Sequence, residues 1–215
     1  MLPCSELICL ASSKIVQFSR FFSCSRLDLS VWRLAGKHKL TYKSIRASIQ
    51  AQEGAGLFCL PPLLMGEGAA RTIFASDEVF AMAEPPWKNN WQGTRFANAR
   101  SAMDNFTEGY HVTVAEHPRH KEWHAAIARV DPVGEEVWDF RCLDPNPGIR
   151  VFGRFSEPDV FIALCWAFRE DLNGDEDWLY EIKRSVDKWK ILFGELKPFV
   201  GNGYSEYVTF NSSAA

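Results

Sequence analysis

The stretch from Ile149 to Phe193 constrains the fold more than any other part of the chain. Its second half carries Trp178, Ile182, Val186, Trp189 and Phe193 at spacings of 4, 4, 3 and 4. At about 100° per residue these five fall within one arc of roughly 80°, with Leu179 at its edge, which specifies an amphipathic helix. Charge agrees with pattern. Asp175, Glu176 and Asp177 lie where the positive end of a helix dipole favours them, and Lys188 and Lys190 lie near the negative end. Gly194 follows, as a left-handed terminator would. The spacing predicts a helix over 175–193.

Upstream, Ile149, Val151 and Phe155 alternate with Arg150, Phe152 and Arg154, which is the period of a strand. Glu157-Pro158-Asp159-Val160 reads as a turn. Val160 to Phe168 is a near-continuous apolar run, as a central strand would be. The same residues admit a second reading. Ser156 with Asp159 three positions on resembles a helix start, and Phe161 to Leu172 would then be helical. The β-branched Val160 and Ile162 favour the strand. Tyr110 to Ala115 and Val137 to Leu143 alternate as further strands, with Trp138, Phe140 and Cys142 on one face. Trp123 to Val130 fits strand or short helix. Tyr207 to Phe210 fits a short edge strand.

The first half differs in kind. Residues 1–102 hold 12 Lys/Arg against 7 Asp/Glu, whereas residues 103–215 hold 12 against 20, so +5 stands beside −8. Residues 1–50 are basic and Ser-rich, near a transit peptide in composition and unlike a secretory signal. Leu60-Pro61-Pro62 and Pro85-Pro86-Trp87 interrupt regular structure, and Thr72 to Met82 suffices for one short helix. The expected organisation is a poorly ordered or spurious extension over 1–102 and a compact domain over 103–215. The expected fold is α+β: a small antiparallel sheet of about four strands packed by one C-terminal amphipathic helix, behind a largely irregular N-terminal extension.

Chemistry is sparse. His111, His117, His120 and His124 cluster, and His120 and His124 have the spacing of two ligands on one helix face. Pro118 interrupts that helix, and Glu122 is not at the catalytic position of a zinc-protease helix, so no metal and no cofactor are expected. The six cysteines form no close pair with redox or zinc spacing, which points to a reducing compartment. No run approaches the ~18 apolar residues of a membrane span. Phosphate-loop, dinucleotide and nucleophile-elbow motifs are absent. Arg150 and Arg154 share one strand face that Arg141 joins if register allows, and three guanidiniums there would suit phosphate. Their other reading is pairing with Asp139, Asp144 and Glu157.

Val137 to Leu172, VWDFRCLDPNPGIRVFGRFSEPDVFIALCWAFREDL, resembles the sheet of RelE-type toxins and their phage-derived relatives, which cleave messenger RNA on the ribosome. That resemblance implies a ribosome-dependent endonuclease in which Arg141, Arg150 and Arg154 hold or cleave RNA. The −8 of residues 103–215 opposes polyanion binding, since such affinity comes largely from phosphate neutralisation. The favoured expectation is therefore a small cytoplasmic interaction or accessory module without catalysis. On the outer face of the helix, Tyr180, Arg184, Asp187 and Ile191 recur at 4, 3 and 4. Tyr180, Arg184 and Ile191 are the candidate contacts for a protein partner or a second copy.

Overall fold

The computed structural model describes residues 39–54, 56–62, 69–118 and 124–215, all within one compact unit. Expectations for residues 1–38, which hold Cys4, Cys9 and Cys24, and for His120 and Glu122 lie outside these. In chain order the elements are α1 (Lys39–Gln52), β1 (Leu57–Cys59), β2 (Thr72–Ser76), α2 (Asp77–Ala83) and α3 (Trp91–Thr107). There follow β3 (Val112–Ala115), β4 (Ile127–Arg129), β5 (Trp138–Cys142), β6 (Ile149–Glu157) and β7 (Val160–Phe168). The chain ends with α4 (Asp175–Phe193), α5 (Tyr204–Tyr207) and β8 (Ser212–Ala214).

These strands form one eight-stranded sheet in the order β1-β2-β7-β6-β5-β4-β3-β8. Its centre, β4 to β7, is an antiparallel meander. The sheet is mixed because β2 joins β7 in parallel, and β3 pairs in parallel with both β4 and β8. This corrects the expected small antiparallel sheet of about four strands with a single C-terminal helix. Four of the expected strands are present, but the meander is widened on both sides, and helices cover both faces. Phe161 to Leu172 is not helical: β7 runs to Phe168, and a single 3-10 turn covers Arg169–Asp171.

Two layers of core follow from strand alternation. Ile73, Ala75, Trp138, Phe140, Val151, Phe155 and Phe161 pack with Met103 and Phe106 on the α2/α3 side. Phe74, Ile162 and Leu164 pack with Ile45, Ile49, Trp189 and Phe193 on the α1/α4 side. Phe152, Cys165 and Ile182 fill the neighbouring part of that face. The helix over 175–193 ends at Gly194, whose φ is +60°. Trp189 is 1% exposed, as its place in the apolar arc requires.

The β6–β7 ladder slips by one residue at Gly153, where Phe152 faces Cys165 and Gly153 faces Ala163. Leu164 and Cys165 therefore both point towards α4. Glycine is needed because a Cβ at 153 would lie 2.2 Å from the Ile162 carbonyl oxygen and 2.6 Å from the Phe161 ring.

Residues 39–54, 56–62 and 69–107 belong to the same compact unit as the rest of the described chain. The expected boundary at Met103 falls inside α3, and Thr72 to Met82 is a strand followed by a helix rather than one helix. Buried arginines fasten this half to the rest. Arg71 has no exposed side-chain surface and donates to the carbonyls of Phe106 (3.1 Å), Tyr110 (3.0 Å), Phe210 (2.6 Å) and Asn211 (3.4 Å). Arg95 pairs with Glu170 at 2.5 Å and donates to Gly148 O at 2.8 Å. Arg100 pairs with Asp104 on its own helix and donates to the carbonyl of Pro61. Arg46 pairs with Glu157 at 2.8 Å. The opposite charges of the two halves are thus partly complementary within one fold.

Two outcomes test this account. A fragment 103–215 lacks β1, β2 and most of α3, so it should show no cooperative thermal transition, whereas a fragment 39–215 should. In the full chain, Arg71→Met removes a donor from four carbonyls, of which Phe106 O and Asn211 O keep the N–H groups of Gly109 and Val112, and should cost about 3–5 kcal/mol in urea unfolding. Arg71→Lys should recover only part of the loss, because an ammonium cannot reproduce the guanidinium fork.

Candidate functional site

The feature that stands apart from the packed core is the last part of β7. β2 pairs with β7 only from Val160 to Ala163, because the chain leaves the sheet at Ser76 to begin α2. The Ser76 hydroxyl donates to Leu164 O at 2.7 Å, and Lys188 Nζ donates to the same oxygen at 3.0 Å. One residue pair further, Trp166 N–H donates to Glu78 Oε1 at 3.3 Å. Side chains thus close the first outward groups of the edge, and among the described residues no strand continues on the outer side of Trp166 to Phe168.

A cleft of about 400 Å³ opens between this edge and the first turns of α4. One wall is Trp166 and Phe168, whose rings meet edge-on at 5.1 Å and rest against Phe96. The Arg95 guanidinium lies 4.0 Å from the centre of the Phe168 ring, which holds that ring in place. The other wall carries Asp171, Asp177, Tyr180 and Glu181. Asp177 accepts from the N–H groups of Asn173 (3.0 Å) and Gly174 (3.1 Å), closing the start of α4. Glu181 is buried and accepts from Arg184 at 2.6 and 2.8 Å. Asp171 is exposed and, among the described residues, has no side-chain hydrogen bond.

The expected partner face is divided. Tyr180 and Ile191 are 62% and 80% exposed. Arg184 instead faces inward, pairing with Glu78 at 2.7 Å as well as with Glu181. Burial alone would lower its pKa, but the two carboxylates outweigh burial and raise it. Lys188 also reaches Glu78, at 2.6 Å. Burial pushes the Glu78 carboxyl up, yet Lys188 and Arg184 more than offset this and hold it below the ordinary glutamate range.

The three candidate arginines do not form one surface. Arg141 and Arg150 are direct cross-strand partners, as register had to allow, and both approach Asp139, at 4.0 and 3.7 Å. Arg150 is 7% exposed, and its Nε and Nη1 donate no hydrogen bond. Burial lowers its pKa, partly offset by Asp139. Arg154 lies beyond Phe152, is 5% exposed, and pairs with Glu135 at 3.3 Å. Of the expected surface pairings, Asp139 takes Arg141 and Arg150, but Glu157 takes Arg46 and Arg154 turns to Glu135.

His111, His117 and His124 are exposed, and no group of three metal-ligating side chains occurs among the described residues. Cys142 and Cys165 are free and buried, and burial pushes both thiols up, Cys142 to about 12, which leaves them unreactive. Among the described residues no helix is long and apolar enough to cross a membrane.

The Glu78 contacts carry a pH signature. A carboxyl whose folded pKa is depressed adds stability that is present above its unfolded value and lost as pH falls through the folded one. Glu78→Gln should therefore lower the unfolding midpoint near neutral pH, and lower it less at about pH 3, below the ordinary glutamate value. Urea titrations at the two pH values check this. No protein-family model, no curated protein and no solved structure matches the chain.

Proposed function

We propose that this chain is a non-catalytic interaction module that holds a protein partner, or a second copy, against the outer flank of α4. One observation carries the reading: among the described residues no strand lies on the outer side of the end of β7, and the exposed Tyr180 stands across a cleft from it. An unpaired strand edge is a template for another chain, and an exposed aromatic at its side supplies an anchor. Free buried thiols fit a reducing compartment, and a cytoplasmic location is part of the proposal.

The RNA-cleaving role implied by the toxin resemblance needs guanidiniums that reach phosphate. Arg150 and Arg154 are buried, and Arg154 is engaged by Glu135, which weighs against that role.

The test uses the full chain. Tyr180→Ala combined with Ile191→Ala should abolish self-association in sedimentation velocity, or partner capture, while far-ultraviolet circular dichroism is unchanged. Expression in bacteria should be harmless. Growth arrest relieved by Arg141→Ala would replace this reading with RNA cleavage.

A further inference from the structure

The open edge of β7 fits one class of partner. Outward and inward backbone groups alternate along an antiparallel strand. Trp166 turns its N–H away from β6, as its bond to Glu78 shows, so Phe168 turns its N–H and C=O the same way. Glu78 occupies the first of these donors. The Trp166 carbonyl and both groups of Phe168 remain along the edge, with no strand on their outer side among the described residues.

A chain laid on this edge would alternate its side chains between the two faces of the sheet. On the α3 side it would meet Trp166, Phe168 and Phe96, which are aromatic and half-buried. On the α4 side it would meet Asp171, Asp177 and Glu181. Arg184 is the cation that faces Glu181 from α4, and it is already shared between Glu181 and Glu78. Asp171 has no such partner among the described residues, and residues 103–215 as a whole carry −8.

We infer that this cleft binds an extended peptide as an added strand, one in which basic and apolar residues alternate. Its lysines or arginines face Asp171 and Asp177, and its apolar residues cover Trp166 and Phe168. The inference rests on the interaction-module reading and names the chemistry of the partner. Backbone pairing supplies affinity in such complexes, and the alternate side chains supply specificity. The charge part weakens as salt screens it.

The probe is a blocked peptide of alternating lysine and valine, titrated into the full chain by fluorescence anisotropy. Binding should be saturable and weaker at high salt, and a glutamate–valine peptide should not bind. Asp171→Lys should weaken binding by about tenfold or more, whereas Glu195→Lys, an exposed site elsewhere, should leave it unchanged. N-methylation of the peptide amides in one alternate register should abolish binding, and in the other register should not, because only one set faces β7. No binding, equal binding of the acidic peptide, or indifference to N-methylation in both registers would each overturn the inference. Failure here with retained sensitivity of self-association to Tyr180→Ala and Ile191→Ala would leave the module reading standing. Loss of both would remove the two together.

Discussion

The structure depends on a charge that is kept from water. Arg71 precedes β2, and its guanidinium reaches the end of α3 through Phe106 O, the approach to β3 through Tyr110 O, and the C-terminal segment through Phe210 O and Asn211 O. Asp159, in the turn between β6 and β7, stands 3.7 Å away. Burial alone would be costly for an unpaired cation. Here four carbonyl dipoles, one from the negative end of a helix, share the charge, and the Phe106 and Phe210 rings flank it at 5.1 and 4.6 Å. Segments distant in sequence are thus tied to one group, since all four carbonyls accept from the same guanidinium.

This explains which parts of the fold were legible in the sequence. The helix over 175–193 and the strands of the meander announce themselves because apolar residues do the packing, with periods of 3.6 and 2. α3 does not. Its buried positions include Gly93, Arg95, Ala99, Arg100, Met103, Phe106 and Thr107, so its inner face is small residues and arginine stems. The helical spacing of Arg95, Ala99, Met103 and Phe106 is visible only once arginine is allowed to be a core residue. Asn90, whose side chain accepts from Gly93 N–H at 2.8 Å, was the remaining cue. The same blind spot turned a charge difference between halves into an apparent domain boundary, when Arg46–Glu157, Arg71–Asp159 and Arg95–Glu170 bridge that boundary.

The candidate site was less legible than the fold. Tyr180 and Ile191 were found on the outer helix stripe, because a stripe opposite an apolar arc must face outward. Arg184 lies on the same stripe by angle but is long enough to bend round to Glu78, a residue more than a hundred positions earlier. Periodicity locates Cα atoms, not the ends of flexible side chains. The open edge could not be read at all. An apolar run such as Val160 to Phe168 implies cover on both faces, and says nothing of whether a neighbouring strand stops halfway along it.

The slip at Gly153 decides which face each residue of that run takes. Before it, Phe161 and Ala163 face α2 and α3 while Ile162 faces α1 and α4. After it, Trp166 and Phe168 face α3 while Cys165 and Ala167 face α4. The extra residue acts as a phase shifter in the pleat. Without Leu164 the ladder would be regular, and every side chain downstream would keep its order but arrive one position early. The parity of the strand, rather than its hydrophobicity, is what seats two aromatic rings on one wall of the cleft and leaves the opposite wall to carboxylates. Phase is a property of the count of residues, so an insertion at the bulge would rearrange the cleft without altering the composition of either wall's supporting core.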